Sequence, residues 1–305
     1  MQQEAHGHGA RKGPRVFLDY SQAELDAAYD QSMYASNQEQ LQNRRIANSA
    51  AARRRLGDPE RFAYGPTEIE RLDVFRTRGD KAPIFVFIHG GAWRAGLAKD
   101  HAYAAETFVR AGVHFVVPDF VLVQDAGRSL MPMAQQVRSA IAWVYRNAAR
   151  FGGDPDRLYL GGHSSGAHLA GCALVTDWQK DFGLDPGFLK GVTLCSGMYD
   201  LKGPRLSARS NYVDFTDEME EALSAMRHID RIQAPLVLGY GTCETPEFQR
   251  QGRDFHAAVK AAGKKVELFI GEYCNHFEMA ETLANPYGPF GRAVLEQMEI
   301  SLIPA

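Results

Sequence analysis

Residues 157–171 of the chain read RLYLGGHSSGAHLAG. The first four letters are typical of a short buried strand, and the apolar letters that follow Gly166 are typical of a helix. Between them stands GHSSG, a serine flanked by glycines at the point where the strand turns into the helix. Such a turn holds the middle residue in a strained conformation with its side chain exposed. The stretch therefore predicts a strand–turn–helix unit with Ser164 as a candidate nucleophile.

Short apolar strands and amphipathic helices alternate on both sides of this unit. Strands that alternate with helices of this length indicate βαβ units, in which both faces of a parallel sheet are covered. The predicted strands span residues 68–76, 84–88, 114–117, 157–160, 192–195, 235–240 and 266–270. The predicted helices span residues 100–111, 133–148, 167–174 and 248–259. We therefore predict an α/β fold with a mostly parallel central sheet and helices on both faces.

The beginning of the chain has helical patterns and no strand pattern. Ser21 precedes Glu24 at the spacing of a capping box, and a second helical stretch spans residues 37–56. We predict an N-terminal helical extension or cap in residues 1–65 and a main domain in residues 66–305. The pattern leaves open whether the extension covers a site as a lid or packs passively.

The second helical stretch carries the densest basic cluster of the chain. Its members are Arg44, Arg45, Arg53, Arg54 and Arg55. The cluster has two interpretations, an anion-binding site or a solvated helix face, and the solvated face is the one that the pattern favours.

Composition excludes several classes of protein. The 305 residues include 34 Lys and Arg and 37 Asp and Glu, so the net charge of −3 gives no basic surface for nucleic acid. A hydrophobic share of 45% with 23% charged residues is ordinary for a globular protein. The 4 cysteines are too few for a disulfide scaffold, and no two of them have C-x-x-C spacing.

Membrane and targeting signals are absent from the sequence. Apolar runs are short, such as residues 84–88, whereas a membrane span needs about 20 apolar residues. Residues 1–14 carry basic side chains without the apolar core of a signal peptide. We therefore expect a cytoplasmic protein without a membrane partner.

His6 and His8 stand in a glycine-rich start, where a tail is favoured over a weak metal site, and no metal site is predicted.

A second glycine-rich loop follows the predicted strand 84–88. Residues 89–93 read HGGAW, and in this position an HGG-type loop supplies part of an oxyanion hole. Small residues allow backbone N–H groups to point at one spot, where they stabilise a negatively charged oxygen. The predicted donors are the N–H groups of Gly91, Ala92 and Ser165, with Gly90 shaping the turn.

A serine nucleophile needs a general base, which is most often histidine. In a triad built on this type of turn, the acid follows the serine along the chain and the base comes last. Three histidines qualify by position: His228, His256 and His276. His228 precedes the strand expected to deliver the acid, and His256 lies inside a predicted amphipathic helix. His276 follows the last predicted strand in a short loop, so it is the predicted base.

The acid is expected just after the strand 235–240. Glu244 lies there in a loop, and it is the predicted acid. Glu247 falls in the first turn of the next helix, where the helix dipole favours a carboxylate for structural reasons. Asp200 and Asp230 are weaker alternatives because they follow an earlier strand and precede the acid strand, respectively.

Five segments of the chain resemble one family. They are residues 89–93, 152–157, 161–171, 245–251 and 275–277. The segments are similar to kynurenine formamidases (arylformamidases) and their esterase relatives in the α/β-hydrolase superfamily, near the hormone-sensitive-lipase-like esterases. The resemblance implies the α/β-hydrolase fold and a triad of Ser164, Glu244 and His276. The chain departs from that family at Ala92, where formamidases often carry an aromatic residue, and at Glu244, where they often carry Asp.

These residues together predict a serine hydrolase that works through an acyl-enzyme and needs no cofactor or metal. The leading interpretation is a carboxylesterase acting on small or aryl esters. The alternative is an arylformamidase-type amide or formamide hydrolase with a substrate like N-formylkynurenine. A third possibility, a hydrolase-like binding protein without catalysis, is disfavoured because every catalytic part is present. The partner is a small-molecule ester or amide; the sequence does not determine the oligomeric state, and a homodimer is compatible with it.

Other residues at strand ends are candidates for the walls of the site. Trp93, Tyr199 and Phe277 lie where pocket walls form, although a core position for Trp93 fits equally well.

Two cysteines, Cys243 and Cys274, flank the predicted acid and base. We expect both thiols to be reduced and packed beside the site.

Overall fold

A single eight-stranded sheet runs through the protein in the computed structural model, which describes residues 13–300. Two short strands near the start, β1 (Arg15–Phe17) and β2 (Tyr20–Ser21), form a separate antiparallel pair. The strands of the large sheet are β3 (Glu60–Ala63), β4 (Arg71–Phe75), β5 (Ala82–Ile88), β6 (His114–Pro118), β7 (Gly153–His163), β8 (Leu189–Cys195), β9 (Leu236–Gly241) and β10 (Val266–Gly271).

The order of strands across the large sheet is β10-β9-β8-β7-β5-β6-β4-β3. Neighbours from β10 to β6 are parallel, whereas β4 runs antiparallel to both β6 and β3. The prediction of a mostly parallel sheet is therefore confirmed. Since parallel strands end at the same edge, the loops that follow β5, β7, β8, β9 and β10 meet there.

Helices cover both faces of the sheet, as predicted. They are α1 (Gln22–Ala28), α2 (Gln38–Leu56), α3 (Ala105–Arg110), α4 (Met131–Asn147), α5 (Ser165–Leu174), α6 (Trp178–Phe182), α7 (Lys202–Leu206), α8 (Asp217–Leu223), α9 (Pro246–Ala261), α10 (His276–Glu281) and α11 (Pro289–Gln297). The helix predicted at 100–111 begins as a 3₁₀ segment, Ala98–Ala104, before α3.

The alternation of side chains along β5 builds two cores. Ile84, Val86 and Ile88 pack into the core beneath α4, α5 and α9, while Phe85 and Phe87 pack into the core beneath α3 and α11. Because successive side chains of a strand point to opposite faces, one uninterrupted apolar run serves both layers.

The expectation that residues 1–65 contain no strand is wrong. The strand β3 lies within that range and pairs with β4, with Glu60 opposite Val74. A division at residue 65 would separate these two paired strands. The strand escaped prediction because it is a four-residue edge strand whose side chains are mostly exposed, so it lacks an apolar alternation. The tail that holds His6 and His8 lies outside the described residues.

No helix among residues 13–300 is long and apolar enough to cross a lipid bilayer.

Candidate active site

Ser164 lies at the sharp turn between β7 and α5. Its φ of 59° and ψ of −127° are unusual for a residue that has a side chain. The N–H of Ser164 donates to the carbonyl of Cys195 at 3.0 Å, which ties the turn to the neighbouring strand β8. A hydrogen-bonded turn of this kind holds strain in place at a functional position.

The two glycines of the serine motif stand where the backbone has no room for a side chain. A Cβ at Gly162 would lie 2.6 Å from the carbonyl oxygen of Gly166. A Cβ at Gly166 would overlap the carbonyl oxygens of Ile88 and His89 at the end of β5. The motif therefore needs glycine at both positions for steric reasons, independently of any reaction.

We expect Gly166→Ala to lower the free energy of unfolding by about 3 kcal/mol, because backbone atoms of β5 would have to move. Gly171→Ala on the same helix is the matched control, since its nearest atoms would lie at an ordinary 3.6 Å. Alanine favours a helix over glycine by about 1 kcal/mol, so the control should be neutral or stabilising. Urea denaturation of both variants measures the difference, and equal stabilities would contradict the steric argument.

The side chains of Ser164, His276 and Glu244 form one hydrogen-bonded chain. Nε2 of His276 lies 2.8 Å from Oγ of Ser164, and its Nδ1 lies 2.9 Å from Oε2 of Glu244. All three residues are buried, with exposed fractions of 8%, 4% and 1% for Ser164, His276 and Glu244. In this arrangement Nδ1–H of His276 donates to the carboxylate and Nε2 accepts from the serine hydroxyl.

His276 is held by the start of helix α10, of which it is the first residue. The side chain of Asn275 caps the helix by accepting from the N–H groups of Phe277 and Glu278 at 3.0 Å each. The carbonyl of His276 accepts from Nε2 of His163 at 2.9 Å. These contacts fix both the backbone and the direction of the imidazole.

A residue that the sequence argument missed orients the carboxylate. Oε1 of Glu244 accepts from the hydroxyl of Ser196 at 2.5 Å and from the N–H of Gly241 at 2.8 Å. Ser196 directly follows β8, and its φ is 57°. Its position just after a predicted strand was the only sequence feature that could have marked it as a site residue. Oε2 faces Nδ1 of His276 and also accepts from Nε2 of Gln31 at 3.4 Å.

The alternative acids and bases lie elsewhere. Glu247 is buried, but Tyr29 donates to it at 2.9 Å and Arg250 binds it with two nitrogens at 2.8 Å. Asp200 accepts from the N–H of Lys202 and lies 3.9 Å from Arg227. The remaining alternatives, Asp230, His228 and His256, make no hydrogen bond to the serine or to Glu244 among the described residues.

The loop after β5 places two N–H groups beside the serine. Gly91 and Ala92 have φ values of 133° and 54°, and among residues 13–300 their N–H groups have no hydrogen-bond acceptor. Ser165 is the first residue of α5, so its N–H has no partner within the helix. A Cβ at Gly90 would come within 3.0 Å of Cβ of Ser164, which explains the glycine. The N–H of Trp93 donates to Oγ of Ser165 at 3.2 Å and joins the two loops.

Three buried histidines shape the surroundings without contacting the serine hydroxyl. Burial lowers the pKa of His163 well below its ordinary value, with smaller contributions from His276 and Arg45. Burial also lowers the pKa of His89, whose Nδ1 lies 2.9 Å from the carbonyl of Gly90. The pKa of His168 falls to about 4 for the same reason. These rings are therefore neutral near pH 7 and serve as hydrogen-bonding spacers.

Two of the three predicted pocket walls are core residues. Trp93 is 2% exposed, and its indole N–H donates to Nδ1 of His168 at 3.1 Å. Tyr199 is 1% exposed and stacks on Phe255 with ring centroids 4.5 Å apart. The pocket-wall expectation is therefore wrong for Tyr199. For Trp93 the structure shows the core position, which the sequence left equally open. Phe277 does line the cavity, with its ring edge-on to His276 at 5.5 Å.

The serine opens into a cavity of about 590 Å³. One side of this cavity comes from the N-terminal region. Residues of α1, α2 and the segment between them line it: Asp26, Tyr29, Asp30, Gln31, Ser32, Gln38, Gln42 and Arg45. Gln31 accepts from the N–H of Thr245 at 3.2 Å, directly beside the acid. The N-terminal region is therefore a wall of the site, which favours the cover over the passive extension.

The cysteines near the site differ in exposure. All four are free thiols, and Cys274 is half-buried as expected. Cys243 is exposed, so the expectation that it packs beside the site is wrong. Among residues 13–300, no group of three or more His, Cys, Asp or Glu side chains is placed to hold a metal ion.

Comparison with known proteins agrees with this geometry. A family model described as BD-FAE matches residues 72–190. Kynurenine formamidase from Danio rerio is 31% identical over 234 residues, which cover 73% of this chain and 75% of that protein. Esterase LipQ from Mycobacterium tuberculosis (strain ATCC 25618 / H37Rv) is 30% identical over 236 residues, which cover 69% of this chain and 55% of that protein. The crystal structure of a protein from Silicibacter sp. tm1040 has a TM-score of 0.76 at 23% identity, over 87% of this chain and 96% of that one.

The parallel sheet, with a serine at the turn after β7 and a glycine loop after β5, defines an α/β-hydrolase. The chain belongs to the α/β-hydrolase superfamily, in the group that contains the kynurenine formamidases and related esterases. Its relatives are hydrolases, and this chain is an enzyme of the same general kind.

Proposed function

We propose that the protein is a serine hydrolase that cleaves carboxylic esters through an acyl-enzyme at Ser164. The observation that carries the proposal is the unbroken chain from Ser164 Oγ through His276 to Glu244, with distances of 2.8 and 2.9 Å. Such a chain, next to free backbone N–H groups, is what acyl transfer requires.

The proposed reaction has two halves. Oγ of Ser164 attacks the carbonyl carbon while Nε2 of His276 takes the hydroxyl proton, and Glu244 stabilises the imidazolium. The carbonyl oxygen becomes negative and binds the N–H groups of Gly91, Ala92 and Ser165, each donor contributing about 3 kcal/mol to transition-state stability. His276 returns the proton to the leaving alkoxide, and water activated by the same nitrogen then releases the acid and restores the serine.

Labelling and turnover test the class of activity. We expect the wild type to hydrolyse p-nitrophenyl acetate and a fluorophosphonate probe to label Ser164, which peptide mass spectrometry locates. The labelling arm does not depend on the choice of substrate. Absence of both turnover and labelling would favour the non-catalytic binding protein instead.

The formamide hydrolase is a second candidate, and the relatives named kynurenine formamidase support it. An amide has a poorer leaving group than an aryl ester, so His276 would have to protonate the nitrogen as the tetrahedral intermediate collapses. The ratio of kcat/KM on phenyl acetate to kcat/KM on N-formylkynurenine separates the two. We expect the ester to be preferred by at least about 10-fold, a difference of roughly 1.4 kcal/mol in transition-state stabilisation. A preference for the formamide would assign the alternative activity.

A further inference from the structure

The basic cluster of α2 divides into arginines that face other elements and one that faces the cavity. Three of the five form ion pairs with carboxylates on neighbouring elements: Arg44 with Glu281, Arg53 with Asp73, and Arg55 with Glu106. Arg54 is exposed to solvent. Arg44, Arg54 and Arg55 fit the solvated helix face that the sequence favoured, whereas Arg53 is half-buried against Asp73. Arg45 does not fit that face, because its side chain lines the cavity that contains Ser164.

The guanidinium of Arg45 has no partner within residues 13–300. Its Nε is buried and makes no hydrogen bond, and the residue forms no ion pair with a described carboxylate. The residue as a whole is half-buried. A buried N–H without an acceptor is unfavourable, and an acceptor bound in the cavity would remove that cost. The side chain therefore presents unused donors to whatever occupies the cavity.

The charge of Arg45 acts on the residues around the serine. Burial is the main cause of the lowered pKa values of His101 and His163, and Arg45 lowers both further. His101 and His163 also line the cavity, and the carbonyl of His276 accepts from His163. Arg45, His101 and His163 thus line one cavity together with Ser164 and His276.

The other charged residues of the cavity wall have contacts of their own, while Nε of Arg209 is, like that of Arg45, buried without a hydrogen-bond partner. Arg209 donates to the carbonyl of Tyr29 at 3.0 Å and to the hydroxyl of Tyr212 at 2.7 Å, and Arg94 stacks over the ring of Tyr212. Asp26 and Asp30 accept from backbone N–H groups of nearby turns. Three arginines and two aspartates leave one positive charge on the described lining, which suits a singly charged anion.

We propose that Arg45 binds a carboxylate of the substrate, so that the enzyme selects esters or amides that carry one negative charge. The planar fork of arginine matches the two oxygens of a carboxylate, and such charge-assisted bonds are strong in a desolvated site. The inference rests on the proposed hydrolase function, which it narrows to a substrate class.

Paired substrates test this selectivity. One pair is 4-acetoxybenzoate and its methyl ester, with the charge on the leaving group. The other is monophenyl adipate and phenyl hexanoate, with the charge on the acyl group. In at least one pair, Arg45→Gln should lower kcat/KM much more for the charged member than for the neutral member. We expect the two losses to differ by about 30-fold, mainly because KM for the charged substrate rises. Arg45→Lys, which keeps a point charge, should recover part of the difference.

Arg54→Gln is the matched control, since it removes the same charge from the exposed face of the same helix. We expect it to leave both ratios unchanged, and thermal unfolding of each variant verifies the fold. Equal losses on charged and neutral substrates for Arg45→Gln would overturn the inference. A larger Arg45-dependent effect on 4-acetoxyphenyl phosphate, a dianion, than on the carboxylates would overturn the assignment to a monoanion.

Binding without turnover separates this inference from the proposed function. The two charged substrates, 4-acetoxybenzoate and monophenyl adipate, are each titrated into Ser164→Ala and into the Arg45→Gln, Ser164→Ala double variant. We expect at least one of them to bind Ser164→Ala with a dissociation constant about 30-fold lower. That result can hold even if the wild type cleaves no ester, in which case the proposed activity alone fails. Dissociation constants that are identical in the two variants for both ligands would overturn the role of Arg45 whatever the activity.

Discussion

We expect Ser164→Ala to lower kcat on p-nitrophenyl acetate by roughly 10⁴- to 10⁶-fold, because the acyl-enzyme can no longer form. The hydroxyl is the only atom lost, and it accounts for one hydrogen bond, to Nε2 of His276 at 2.8 Å. Alanine also tolerates the turn no worse than serine does, so the variant should fold. Steady-state kinetics with active-site titration measure the loss.

Ser139→Ala is the control for this prediction. Ser139 lies half-buried on α4 and takes no part in the chain of hydrogen bonds to Glu244. The control should retain wild-type kcat, and both variants should unfold at similar temperatures. A Ser164→Ala enzyme with wild-type kcat would show that the reaction uses another nucleophile.

We expect Glu244→Gln to lower kcat on p-nitrophenyl acetate by about 10³- to 10⁴-fold, the second largest effect after Ser164→Ala. The amide can present an N–H to Nδ1 of His276, which then holds the imidazole in the tautomer that cannot accept the serine proton. Oε1 also accepts from Ser196 and Gly241, and one of these bonds weakens if the amide turns its nitrogen toward them. The pH dependence of kcat/KM should change as well, since the carboxylate no longer stabilises the imidazolium.

Glu247→Gln is a demanding control because both carboxylates are buried and lie in the same segment. The carboxylate of Glu247 binds Tyr29 and Arg250 rather than a histidine. We expect this control to lower the free energy of unfolding by about 2 kcal/mol while kcat changes less than about 10-fold. The opposite outcome, a large loss of kcat from Glu247→Gln alone, would move the acid to the helix.

Local sequence patterns were sufficient to predict the α/β fold and the residues that meet at the serine. The apolar run of β5 reflects burial on both faces of the sheet, and the glycines around Ser164 mark a sharp turn. Both patterns are visible in a short stretch of sequence. The chain order of serine, acid and base then placed Glu244 and His276 after the correct strands. Each of these inferences depends on what directly precedes or follows a strand, which is a local property.

The residues that the sequence missed or left open depend on contacts across the fold. Whether Trp93 lines a pocket or fills a core is set by His168, which lies on α5 and accepts its indole N–H. The strand β3 forms by pairing with β4 at the edge of the sheet, and the four residues of β3 show no apolar alternation in the sequence. Ser196 became visible as a partner of Glu244 only when the ends of β8 and β9 were brought side by side.

Arg45 illustrates the same division within a single helix. Five arginines on α2 look alike in the sequence, where their charge favours solvent. Packing of α2 against α10 pairs Arg44 with Glu281 and leaves Arg45 in the cavity without a carboxylate. The type of chemistry follows from residues at the ends of neighbouring strands, and the order of those residues along the chain is enough to predict where they lie. The proposed charge of the substrate follows from Arg45, which has no carboxylate partner among the described residues. Whether a side chain finds such a partner in a distant segment is decided only when the chain folds.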